Sequence, residues 1–187
     1  NMLNLSHILM KKREERGSIN FDFPESKVIL GKDGFPTGIA KVVRNDAHKL
    51  IEEFMLVANE TVAEFAFWSD IPFVYRVHQE PDGEKIESFR RFIGGFGLFI
   101  KGNEVYPKDL QQILDEVKDT PNETLIGTYM LRSLMKAEYL PKCDGHFGLA
   151  TKYYCHFTSP IRRYPDLMIH RILKNFLDGR DVSVFEN

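Results

Sequence analysis

Between Lys152 and Lys174 the sequence sets five basic residues, Lys152, Arg162, Arg163, Arg171 and Lys174, against a single acid, Asp166. That local charge of +4 stands in a chain whose net charge is −2. Tyr153, Tyr154, Phe157 and Tyr164 are interleaved with the basic residues. Cations mixed with aromatic rings at this density suit a single-stranded nucleic-acid groove, where guanidinium and ammonium groups hold phosphates and rings stack on bases. Pro160 and Pro165 restrict the backbone on either side of Arg162 and Arg163, which lowers the entropy cost of fixing them. A guanidinium presents a planar fork of donors that matches two phosphate oxygens. Ser159-Pro160 is also able to open a helical turn whose backbone N–H groups favour an anion. The competing reading is a solvated arginine pair beside aromatic core residues.

The other candidate groups are more scattered. Glu53 shares an apolar helical stripe with Leu50 and Val57, and a carboxylate there needs a partner, either a ligand or an in-chain Arg or Lys. Phe21 alternates with Ile19 and Phe23, so it is either core or a stacking platform. His48 and Glu52 have i, i+4 spacing, but no Glu-x-x-His pair exists elsewhere to complete a carboxylate-bridged metal site. Cys143-x₂-His146 has ligand-like spacing, yet the adjacent Cys155 and His156 point to opposite sides of an extended segment, which speaks against zinc. Asp166 falls in the first turn of a helix, where the dipole favours a carboxylate and a bridge to Arg162 or Arg163 is in reach. His170 and Arg171 serve either packing or phosphate contact.

The elements that must carry these groups are legible in outline. A helix runs from about Leu3 to Arg16 and stops at Gly17. Ile19, Phe21 and Phe23 predict a strand. Val28–Leu30 and a segment from Gly38 to Val43 predict two more, joined by a turn at Gly31-Lys32-Asp33-Gly34. Asn45 or Asp46 caps a helix to about Trp68, with Leu50, Phe54, Val57, Ala58, Thr61 and Phe65 along its apolar side. A short strand follows within Phe73 to His78. Helices are expected over Glu84 to Ile93, from Pro107 to about Val117, after Asn122, and from about Asp166 to Leu177. The segment Ala137 to His156 reads as extended pieces and turns. The expected class is α+β, helix-rich, with short antiparallel strands.

At 187 residues and 43 % hydrophobic, the chain has material for one substantial core. The near-neutral charge gives no global attraction to polyanions, so nucleic-acid contact must be local. Two cysteines are too few for a disulfide framework and suit a reduced cytoplasm. No apolar run approaches the ~20 residues of a membrane span, and the order of apolar and basic residues at the N-terminus is wrong for a signal peptide. A helix that begins almost at the first residue has nothing before it to pack on, which points to a chain entered in mid-fold.

The run His146-Phe147-Gly148-Leu149-Ala150, followed by His156-Phe157-Thr158-Ser159-Pro160-Ile161-Arg162-Arg163-Tyr164-Pro165-Asp166-Leu167 and His170-Arg171, resembles the signature of the RNB family of exoribonucleases. Val43-Arg44-Asn45-Asp46-Ala47-His48, Ile51-Glu52-Glu53 and Tyr75-Arg76-Val77-His78 look like the same family in the same order. The likeness covers nearly the whole chain and is nearer to the ribonuclease R branch than to the ribonuclease II branch.

The resemblance implies the C-terminal half of an RNB catalytic domain spanning residues 1–187. Such enzymes remove nucleotides from the 3′ end of single-stranded RNA as 5′-monophosphates, with Mg²⁺ at an aspartate cluster. It implies that Arg162 contacts the scissile phosphate and that Glu53 contacts the 3′-terminal nucleotide, with Glu52 the alternative if the register differs by one. Phe21 would stack on a base, and Arg163, Tyr164 and His170 would line the RNA path. The family's D-x₅-D-x-D-D cluster lies ahead of this region, and this chain has no Asp-Asp pair. The expected partners are therefore single-stranded RNA and the absent N-terminal half of the same domain, with no membrane. The chain alone is expected to be almost inactive. Two other readings stand beside it: an RNA-binding module that does not cleave, and a structural protein that keeps the fold without the groove.

Overall fold

The computed structural model describes residues 1–21, 26–42 and 44–185. α1 spans Met2–Arg16 and ends where Gly17 turns left-handed at φ 87°, its N–H returning to the carbonyls at Arg13 and Glu14. β1 (Ser26–Leu30) and β2 (Pro36–Lys41) form an antiparallel hairpin with a bulge between Ile29 and Leu30. The predicted turn holds: Gly34 N–H donates to Gly31 O at 3.0 Å, and Gly31 N–H to Phe35 O at 2.8 Å.

α2 (Asp46–Trp68) opens on a reciprocal cap. Asn45 Oδ1 accepts from His48 N–H at 3.1 Å, and His48 Nδ1 accepts from Asn45 N–H at 3.3 Å. β3 (Tyr75–Val77) pairs antiparallel with β4 (Glu138–Leu140), so that Arg76 faces Tyr139 in register. α3 (Gly83–Gly94), α4 (Pro107–Val117) and α5 (Glu123–Ser133) lie between these two strands in sequence, and α6 (Tyr164–Leu177) follows. α+β, with helices dominant, is the observed class.

Two cores result. Ile86, Phe89 and Ile93 of α3 meet Leu110 and Ile113 of α4 and Met130 of α5 in the first. The second joins Ala63 and Ala66 of α2 to Tyr75 and Val77 of β3, Cys155, and Ile169 and Ile172 of α6. His78 links the two. Its backbone carbonyl accepts from Phe147 N–H at 2.8 Å, and Phe147 packs on the first core. No described helix is long and apolar enough to cross a membrane.

Two expectations fail. Residues 19–21 form no strand, and Phe23 lies outside the described residues. Ile19 N–H goes to Gly148 O at 2.8 Å and Asn20 N–H to the Gln111 side chain at 2.7 Å. With its donors taken by a turn carbonyl and an amide side chain, this segment has no neighbouring strand to complete a ladder. On α2 the buried positions are Glu53, Asn59, Ala63 and Ala66, whereas Phe65 is 44 % and Ile51 55 % exposed. The first half of the helix is buried at Glu53 and Asn59, which meet an ion pair and backbone, and the second half at Ala63 and Ala66, whose small side chains let the second core approach closely.

Candidate nucleic-acid interface

The turn ahead of α6 is built by one carboxylate. Ser159 O accepts from Arg162 N–H at 3.3 Å and Arg163 N–H at 3.1 Å, closing the turn that Ser159-Pro160 predicted. Asp166 Oδ2 accepts from Ser159 N–H at 2.7 Å and from Arg163 Nη2 at 2.7 Å, and Asp166 has no exposed surface. Of the two bridges in reach of Asp166, the structure makes the one to Arg163. Arg162 is then the exposed arginine of the pair, between Ile161 at 99 % and Tyr164 at 66 % exposure. An isoleucine so open to water is unusual, and it marks the tip of the turn as an outward surface. His170, nearly two turns into α6, stacks on Phe157 at 4.1 Å between ring centroids, and its Nε2 lies 3.0 Å from Phe157 O. Arg162, Arg163, Tyr164 and His170 thus share one turn-and-helix unit.

Glu53 and Phe21 stand on other elements. Glu53 Oε1 takes Nε and Nη2 of Arg13 at 3.0 and 2.9 Å, with the carboxylate side chain 5 % exposed. Arg13 Nη1 also lies 3.4 Å from Ser18 Oγ, and that hydroxyl is 3.3 Å from Gly148 O. The Arg13–Glu53 pair therefore ties α1, α2 and the Phe147–Leu149 turn together. Glu52, the alternative register, is more exposed and pairs with Arg44. Phe21 is half-buried against the first core and borders a cavity of about 110 Å³ beside Gln111 and Leu114.

Asn59 is a residue that the periodicity of α2 did not single out. Its Nδ2 donates to Tyr154 Oη at 3.2 Å, its Oδ1 accepts from Phe157 N–H at 3.0 Å, and its carbonyl accepts from the Cys155 thiol at 3.2 Å. One buried amide thereby fixes the segment leading into the arginine turn. The available signal was chemical: a buried amide side chain needs a specific partner.

From this segment a series of rings crosses to the β3–β4 pair. His78 and His146 meet edge-on at 5.0 Å, His146 and Tyr154 at 5.1 Å, and Tyr154 and His156 at 5.8 Å. The Tyr139 hydroxyl lies 2.7 Å from His156 Nδ1. Burial, reinforced by the guanidiniums of Arg163 and Arg76, lowers the His156 pKa to about 4. Burial, then the neighbouring His78 and Arg76, lowers His146 to about 3. Both imidazoles are neutral near pH 7. A cavity of about 700 Å³ opens beside His78 and His146, walled by Phe67, Tyr106 and Tyr153.

Both cysteines are free thiols, Cys143 half-buried and Cys155 buried. Cys143 Sγ donates to Lys152 O at 3.3 Å, and burial raises the pKa of both thiols. Among the described residues no three His, Cys, Asp or Glu side chains converge on a point where a metal ion would sit.

The fold matches that of solved RNase R structures. The chain belongs to the RNB family: the family model described as RNB domain matches residues 1–179. It is 46 % identical over 183 residues to the Ribonuclease R of Aquifex aeolicus, covering 97 % of this chain and 26 % of that protein. Over 175 residues it is 45 % identical to the Ribonuclease R of Escherichia coli, covering 93 % and 22 %. The solved structure of Mycoplasma genitalium RNase R in complex with ribose methylated single-stranded RNA matches with a TM-score of 0.92 at 33 % identity, covering 99 % of this chain and 30 % of that one. The chain spans about a quarter of the length of the curated relatives it matches.

Proposed function

We propose that this chain is the C-terminal half of an RNB catalytic domain and contributes RNA-channel and scissile-phosphate contacts to a cytoplasmic 3′→5′ exoribonuclease. The parent enzyme would act processively on single-stranded RNA and release nucleoside 5′-monophosphates. Mg²⁺ would be held by aspartates of the N-terminal half, which is the partner this chain requires.

The observation that carries the proposal is the division of labour in the arginine turn. Asp166 neutralises Arg163 and holds the backbone, while Arg162 stays exposed with no partner among the described residues. A guanidinium carried on a turn whose backbone is fixed can stabilise charge that develops on a phosphate. Tyr164 beside it offers a ring for stacking. Arg163 and His170 act by holding the turn. Glu53, oriented by Arg13, is the group for the 3′-terminal nucleotide, and Phe21 the ring for a base.

The test is equilibrium binding of a short single-stranded RNA to the wild-type chain and to Arg162→Ala, together with a magnesium-dependent turnover assay. Binding that weakens in the variant, with no turnover by either, is the expected result. Turnover by the pure chain overturns the requirement for the N-terminal half. Equal binding by both proteins removes Arg162 from the site.

A further inference from the structure

Arg76 sits in the middle of β3, a strand of three residues, and its guanidinium carbon lies 4.6 Å from the centroid of the Tyr139 ring across the pair. It is half-buried, and its side chain lies against the Tyr139 ring. A ring face stabilises a guanidinium but does not neutralise it. Tyr139 in turn meets His156 Nδ1 at 2.7 Å. With the Tyr139 hydroxyl donating there, the neutral imidazole carries its proton on Nε2, a further donor.

Charge around His156 is one-sided. Arg76, Arg162 and Arg163 are all near enough to act on its ring, and Asp166 is the one carboxylate that opposes them. Asp166 is already shared between Arg163 and Ser159 N–H. Arg76 therefore lies near this imidazole, half-buried and with no carboxylate partner among the described residues. A half-buried cation in that state is costly unless an anion joins it. Its guanidinium offers the donor fork that fits phosphate oxygens.

We infer that Arg76, with the Tyr139–His156 pair beside it, forms a second phosphate-binding position for the same RNA strand that Arg162 contacts. This rests on the RNA-binding reading above and adds to it a contact on the β3–β4 pair. A purely structural role for Arg76 is the rival account, since a cation–π contact across two three-residue strands would also help to hold them together.

Salt dependence separates the two. Binding of a fluorescent single-stranded oligoadenylate with a free 3′-hydroxyl is measured across a salt series for the full 187-residue chain and its variants. Each phosphate contact on a single strand contributes about 0.7 to the slope of log K against log salt. Arg76→Gln is expected to flatten the slope by about 0.7, the share of one contact. Its affinity is expected to fall about tenfold, the size of one lost charge-assisted hydrogen bond. Arg76→Lys is expected to recover the slope. An unchanged slope in Arg76→Gln, with a flattened one in Arg162→Ala, overturns the second position and leaves the first. Failure of the wild-type chain to bind overturns both. Should Arg76→Gln lose its folded circular-dichroism spectrum, the wild-type chain decides the question by NMR. The His156 ring resonances are expected to shift on addition of the oligoadenylate, and the absence of any shift overturns the proposal.

Discussion

Asp166 Oδ2 lies 2.7 Å from Arg163 Nη2, and the carboxylate is wholly buried beneath the turn that it closes. The same oxygen receives Ser159 N–H, so one side chain fixes both the backbone of the turn and the second of its two arginines. Arg162 is left exposed with its charge available. The fold thus assigns adjacent arginines, indistinguishable by type, to different tasks.

Removing that carboxylate should be severe. Asp166→Ala strands the half-buried Arg163 charge and an N–H, and breaking a buried pair from one side costs about 3–5 kcal/mol. Asp166→Asn keeps an acceptor for Ser159 N–H and should cost less. Urea unfolding followed by circular dichroism measures both, and a loss below about 1 kcal/mol for the alanine variant contradicts the role given to Asp166.

Arg162→Ala should do the reverse. Its side chain is exposed with no described partner, so stability should stay within about 0.5 kcal/mol of wild type. RNA affinity should drop while the melting curve is unmoved. A variant that melts early would show that Arg162 has a structural duty.

The two ion pairs between α1 and α2 should differ in weight. Arg13 and Glu53 are 12 % and 5 % exposed, whereas Arg16 and Glu60 are 35 % and 23 % exposed. Arg13→Ala leaves a buried carboxylate alone and should cost about 3–5 kcal/mol. Arg16→Ala should cost no more than about 1 kcal/mol. Chemical denaturation of the two variants side by side checks the ranking, and equal losses would refute it.

Acid should loosen the fold through His156 and His146. Their pKa values are about 4 and about 3 in the folded chain against an ordinary 6.5. Between those limits the unfolded chain binds more protons than the folded one. The stability that the neutral imidazoles contribute is fully present above pH about 6.5 and is lost as the pH falls toward 4 and then 3. Melting temperatures taken from neutral pH downward should therefore decline before the carboxylates titrate. His156→Asn should flatten that decline.

Gly17→Ala should destabilise the end of α1. At φ 87° an L residue is strained, and an added Cβ would stand 2.7 Å from Lys108 Cβ. The backbone term alone is roughly 1–2 kcal/mol. A melting temperature equal to wild type would show that the α1–α4 approach is looser than this geometry requires.

Features legible in the amino acids alone are local or linear. Helix limits at Gly17, Asn45 and Pro107, and the Gly31–Gly34 turn, follow from residues within a few positions of one another. Family membership was legible too, because motifs such as Thr158 to Leu167 are contiguous strings. The remainder awaited the folded chain, because it depended on partners far apart in sequence. Glu53 found Arg13 forty positions away, and Asn59 found Tyr154 and Phe157 nearly a hundred away, which placed two polar side chains on the buried side of α2. Arg76 met Tyr139 only because three helices intervene and return the chain to the same edge. A hydrophobic period reports which residues avoid water. It carries no information about which distant carboxylate, amide or ring will satisfy a charge, and that choice set the character of this site.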